Sequence, residues 1–188
     1  LSAIASGNKE DAAKAASEVG TRRERGTPCQ ACPLRGLGVF RNFTPGELKF
    51  VQGFKSGEIE LKTGTPLMME GESSQTLYTV LSGWLFRYKL LPDGRRQVLN
   101  FVLPGDFIGL QATVFGEAQH TVEAMSDSVL CVFPRGKLWS LYNTEPGLGF
   151  DVTWLAAREE KMLDDNLLSI GRRSAAERVA FILIHLLR

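Results

Sequence analysis

From Gly57 to Pro134 apolar and polar residues alternate in short runs, and a period of two predicts strands. Thr65–Glu70 and Thr76–Ser82 are two of them, separated at Gly71-Glu72. Trp84, Phe86, Tyr88 and Leu90 share one face of the next, with Arg87 and Lys89 on the other. Pro92-Asp93-Gly94 turns the chain, and Leu99, Phe101 and Leu103 supply the inward face of the return strand. Pro104-Gly105-Asp106 is a further turn signal and leads into the apolar Phe107-Ile108-Gly109. Val129-Leu130-Cys131-Val132-Phe133 has the look of a buried strand and ends at Pro134. Short strands at regular spacing with glycine turns point to a sandwich or roll.

Helical signals flank this region. Thr44-Pro45-Gly46-Glu47 is a capping box with proline at the first helical position, so a helix is expected from Pro45 to about Phe54. A longer helix should open at Pro146 and run to about Ile170, with Gly171 ending it. It carries two apolar stripes: Leu148, Val152, Leu155 and Met162 on one, Ala156, Leu163, Leu167 and Ile170 on the other. One stripe can cover the strands while the other pairs with a second chain, or both can form one wide buried face. Glu159 and Asn166 interrupt the first stripe. Ser174-Ala175-Ala176-Glu177 is a second capping box, opening a helix through Leu187. Residues 1–28 are rich in Ala, Ser, Lys, Glu and Gly, with a weak helical signal over Asn8–Val19, as in a mobile arm or solvated helix.

Composition narrows the function. A chain of 188 residues holds one good core plus an appendage. A net charge of +1 argues against a surface built wholly for nucleic acid, while allowing a local patch. No apolar run has transmembrane length and the start, Leu1-Ser2-Ala3, has no secretory signal, so a cytoplasmic protein without membrane contact is expected. Three cysteines are too few, and odd in number, for a secreted disulfide scaffold. Ser-His-Asp, H-E-x-x-H, Walker and Rossmann signatures are all missing, which disfavours an enzyme. Cys29-x-x-Cys32 is a weak signal that fits a metal site, a redox pair or neither, and Cys131 is equally an ordinary core residue. His120 and His185 read as a polar loop residue and a solvent-facing helix residue. Trp84, Trp139 and Trp154 read as core or interface aromatics, and Arg172-Arg173 as a solvated junction.

The wording PGDFIG at Pro104–Gly109, and the order GES, LYTVLSGW, DGRR, LPGDFIG, resemble the Crp/Fnr (CAP-like) family of transcription regulators. The resemblance implies an α+β fold: a double-stranded β-helix (jelly roll) of the cyclic-nucleotide-binding type, then a long dimerisation helix. The expected divisions are an N-terminal arm with the C-x-x-C at 1–43, the roll at 44–136, and the dimerisation region at 137–171. Residues 172–188 would begin a DNA-binding domain whose winged helix-turn-helix lies past Arg188. The implied function is the effector-sensing, dimerising part of a promoter-DNA-binding regulator. The alternative is a stand-alone ligand- or protein-binding roll.

Two family sites are altered. Nucleotide-binding members carry a Glu directly after PGDFIG and an Arg-Ser pair downstream; here stand Leu110 and Gln111, then Ala118 and Gln119. No Lys or Arg occurs from Gln97 to Pro134, so no cation holds a phosphate diester and no cyclic nucleotide is expected. Oxygen-sensing Fnr proteins hold an iron–sulfur cluster with C-x-x-C-x5-C plus one late cysteine. On that pattern Cys29, Cys32 and Cys131 take three metal-ligand positions and Gly38 falls on the remaining one. A cluster here would be labile, or the site would work as a thiol redox pair. Either way the arm must fold back beside the strand of Cys131. The family's dimer axis implies a homodimer, with Leu148, Val152, Leu155 and Met162 at the seam. Leu163 stands where an acidic residue weakens the dimer in oxygen-responsive relatives, so dimers are expected without ligand.

Overall fold

Residues 18–23, 26–38 and 40–187 are described by a computed structural model, so the helical signal at Asn8–Val19 falls almost wholly outside them. In chain order the strands are β1 (Thr21–Arg22), β2 (Gly57–Leu61), β3 (Pro66–Met68), β4 (Thr76–Ser82), β5 (Leu85–Leu90), β6 (Arg96–Val102), β7 (Phe107–Ile108), β8 (Thr121–Ala124) and β9 (Ser128–Pro134). The helices are α1 (Pro45–Phe54), α2 (Leu110–Phe115), α3 (Leu138–Thr144), α4 (Pro146–Arg172) and α5 (Ala175–Leu186). The strands form two sheets, ordered β1-β2-β9-β4-β7 and β3-β8-β5-β6, with every pairing antiparallel. This is the jelly roll expected.

The main core lies between the sheets, where Ile59, Val80, Leu130 and Val132 meet Leu85, Val102 and Val122. A second core covers the outer face of β4 and β9: Leu77, Leu81, Cys131 and Phe133 pack under Phe54 of α1, Leu141 of α3 and Leu148 of α4. β4 and β9 are thus buried on both faces, which is why their sequences run apolar without alternation. Each such side chain contributes roughly 1.5–3 kcal/mol.

Local chemistry accounts for the helix starts. Both capping boxes form: Thr44 accepts from the Glu47 N–H, Ser174 accepts from the Glu177 N–H, and each glutamate reaches back to its cap. Gly171 does not end the long helix; α4 continues to Arg172, and the break comes where Arg173 turns extended ahead of the Ser174 cap. The short helices α2 and α3 were beyond the reach of periodicity, since neither shows two full turns of pattern. At the start of α2, Gly109 holds φ +95° with room for no side chain, because a Cβ would lie 2.9 Å from the Thr76 carbonyl oxygen.

Two strands differ from expectation in what they bury. In β5 Leu85, Arg87 and Tyr88 are buried, with a bulge between Arg87 and Tyr88, whereas Leu90 and the preceding Trp84 are exposed. In β6 the buried residues are Asn100 and Val102, with Leu99, Phe101 and Leu103 only partly covered. The inward face of β6 is thus one residue out of phase with Leu99, Phe101 and Leu103, and in β5 the bulge brings residues of both faces inside. The strand at Thr65–Glu70 shortens to Pro66–Met68.

Candidate functional site

The long helix α4 lies along its own roll, and what it touches defines the site. Leu148 and Val152 are buried in the second core, and Leu155 is half-buried beside them. One turn on, Glu159 forms an ion pair with Arg87 of β5. Met162 then meets Asn100, whose Nδ2 lies 3.8 Å from the sulfur, and Asn166 donates to the Leu99 carbonyl at 2.8 Å. Arg158 pairs with Asp106 of the PGDFIG turn. The stripe expected at a dimer seam, Leu148, Val152, Leu155 and Met162, therefore packs on this chain's own roll. Glu159 and Asn166 are its polar ties. The other stripe is divided: Leu167 is 71% and Ile170 55% exposed, whereas Ala156 and Leu163 are half-buried at the edge of the roll.

Between roll and helix lies a cavity of about 270 Å³ lined by Arg87, Gln111, Gln119, His120, Glu159 and Leu163. Ala118 and Gln119, at the positions of the family's Arg-Ser pair, also sit on its wall. Arg87 supplies the cation that residues 97–134 lack. Burial lowers its pKa to about 10, so it remains charged near neutrality. Its Nη2 donates to the Phe107 carbonyl at 3.2 Å, while its Nε has no hydrogen-bond partner. The signal for it was present in sequence, two residues from Leu85 on one strand face. His120 is buried rather than a free loop residue. Desolvation, then the charges of Arg87 and Lys89, depress its pKa to about 4, so it is neutral at physiological pH. A phosphate entering this cavity would have to displace the Glu159 carboxylate from Arg87.

The arm folds back across β2 and β9. Buried Glu58 accepts from Lys55 Nζ at 2.5 Å, from Arg23 Nη1 at 2.9 Å and from the Thr27 N–H at 2.6 Å. Lys55 also donates to the Thr27 carbonyl at 2.8 Å, and the Cys29 N–H donates to Gln52 at 2.7 Å. Glu58 lies directly across from Cys131 in the β2–β9 register. As a result Cys29, Cys32 and Cys131 line one cavity of about 130 Å³.

Sharing a cavity is not coordination. All three are free thiols, and among the described residues no three His, Cys, Asp or Glu side chains converge as a metal requires. Gly38, at the fourth position, has nothing within 4 Å of where its Cβ would be. Burial pushes the Cys131 thiol up to about 12 and raises that of Cys29, with Lys55 opposing both more weakly. The donors as arranged do not fit an iron–sulfur cluster.

The remaining candidates are peripheral. Trp84, Trp139 and Trp154 are 38%, 50% and 45% exposed, so none is a core residue. His185 is half-buried rather than solvent-facing. Arg173 stacks over Phe181 at 4.4 Å and donates to Ser169, while Arg172 is exposed. No helix among the described residues is long and apolar enough to cross a membrane.

Comparison with known proteins agrees with this geometry. Residues 58–145 match the cyclic nucleotide-binding domain. The chain is 31% identical over 156 residues to the nitrogen fixation regulation protein FixK of Bradyrhizobium diazoefficiens, covering 83% of this chain and 65% of FixK. It is 26% identical over 160 residues to the fumarate and nitrate reduction regulatory protein of Escherichia coli, covering 85% and 64%. The solved structure of FixK2 from Bradyrhizobium japonicum superposes with a TM-score of 0.62 at 31% identity, over 68% of this chain and 64% of that one. The chain thus spans about 65% of the length of FixK. A jelly roll closed by a long helix, the PGDFIG turn tied to that helix and these likenesses place the chain in the Crp/Fnr family, close to its FixK and Fnr members.

Proposed function

We propose that this chain is the effector-sensing and dimerising part of a Crp/Fnr-type transcription regulator, which reads DNA as a homodimer. The observation that supports it most is the division of labour on α4. Its inner stripe is fixed to the roll by Arg87–Glu159, Arg158–Asp106 and Asn166–Leu99. Its second stripe, Ala156, Leu163, Leu167 and Ile170, recurs at roughly heptad spacing, with Ala156 and Leu163 half-buried beside the roll and Leu167 and Ile170 in solvent. A change at the roll is thereby transmitted to a seam between two copies, and from there to DNA. The names of the relatives support a regulator rather than an enzyme: one is a regulation protein for nitrogen fixation, the other for fumarate and nitrate reduction.

The seam in this reading is Ala156, Leu163, Leu167 and Ile170, in place of the stripe first expected. Cyclic nucleotide is not the effector, because Glu159 already neutralises the one buried arginine at the cavity. Any oxygen or redox response would act through the thiols themselves and not through a preformed cluster. The test uses the full-length gene product on DNA with two-fold-related half-sites. Wild type should be retained in a gel shift, and Leu167→Glu/Ile170→Glu should lose retention while keeping its circular dichroism. A wild type that binds no DNA, or a variant that binds equally well, overturns the proposal.

A further inference from the structure

The thiol-lined cavity has a shape and a chemistry of its own. Its floor is Cys131 and Phe133 of β9, its roof is Leu148, Val152 and Leu155 of α4, and the turn carrying Cys29 and Cys32 closes one side. Packed elements hold these walls apart: a sheet below, α3 and α4 above, and an arm tied through Arg23 and Thr27 to Glu58 and Lys55. Two charged side chains stand at its edge, Arg35 exposed and Asp151 half-buried. Arg35 donates to the Gln30 carbonyl at 2.9 Å, and Asp151 faces Arg41 at 3.0 Å. The rest of the lining is mostly apolar, and among the described residues it offers no donor set for a metal.

We propose that this cavity binds a small apolar molecule of single-ring size, and that the occupant acts on α4 through Leu148, Val152 and Leu155. Only the consequence for α4 rests on the regulator reading; the binding stands on the cavity. At about 130 Å³ it is close in size to an engineered apolar cavity of roughly 150 Å³ that stays dry and admits benzene or xenon. Thiol sulfurs and ring edges, here Cys29, Cys32, Cys131, Phe54 and Phe133, make favourable contacts with an aromatic ring. A polar ligand would lose its water against a lining that is mostly apolar. An apolar one gives up water and gains contact with Phe54, Phe133, Leu148 and Val152.

The test titrates benzene and toluene into the 188-residue chain, with thermal unfolding and xenon-129 NMR as readouts. At about ten times Kd the midpoint should rise by about 3–6 °C. Cys131→Ala removes the thiol and keeps the space, so its response should persist. Cys131→Leu fills the space and should abolish both the thermal shift and the xenon signal; Val152→Leu is the second filling variant if that one fails to fold. No shift in wild type, or an equal shift in a folded, filled variant, overturns the proposal. A protein that ignores benzene yet binds DNA as a dimer refutes the cavity claim alone. Loss of DNA binding refutes the regulator reading whatever benzene does.

Discussion

Arg87 and Glu159 join the roll to the helix through a pair whose arginine is almost fully buried, so each charge depends on the other. Removing one partner of such a pair leaves a desolvated charge, whereas replacing both with apolar groups removes the problem. Glu159→Ala should lower unfolding stability by about 3 kcal/mol in urea, and Arg87→Met/Glu159→Leu should return to within about 1 kcal/mol of wild type. A single variant as stable as wild type would show that the pair is solvated. His120 gives a pH signature. Its folded pKa of about 4 lies below the ordinary 6.5, so the unfolded chain binds the extra proton in between. The stability this represents is fully present above pH 6.5 and is lost as pH falls through about 4, up to about 3 kcal/mol. Over that window wild type should lose more than His120→Gln, and parallel pH curves would contradict the burial of the ring. Neither residue was recognised in sequence for what it does. A strand pattern gives the period, but the bulge that buries both Arg87 and Tyr88 leaves no mark in it. His120 stands in a loop by sequence and is covered only once Arg87 and the roll close over it.

Among the elements, those specified by local chemistry were the ones legible beforehand. The capping boxes at Thr44 and Ser174 placed the starts of α1 and α5 because the bonds that make them span three residues. α4 was legible as a helix with two stripes, but which stripe meets the roll was not. That depends on Glu159 and Asn166 finding partners on β5 and β6, far away in sequence. Read alone, they were interruptions. The two stripes now predict separate outcomes. Met162→Ala should cost about 1–2 kcal/mol of stability, since the side chain is only half-buried, and should leave association unchanged. Leu167→Glu/Ile170→Glu replaces side chains that are 71% and 55% exposed, so it should leave the fold's stability within about 1 kcal/mol and weaken association instead. Urea melts of both variants, at matched protein concentration, separate the two effects; the reverse pattern would restore the seam first expected.

For the whole molecule, the account is a jelly roll whose outer core and long helix are shared between sensing and assembly. The roll itself was legible from glycine turns, short strands and the PGDFIG wording, because these features are repeated along the chain. The two cavities were not, since each is built by elements far apart: β5, α2 and α4 for one, the arm, β9 and α4 for the other. The central claim is that α4 gives one face to its roll and the other to a second copy. Sedimentation equilibrium at tens of micromolar tests it most directly. The account predicts a dimer for wild type and for Met162→Ala, and a monomer for Leu167→Glu/Ile170→Glu. A monomeric wild type, or a double variant that remains a dimer, would contradict it.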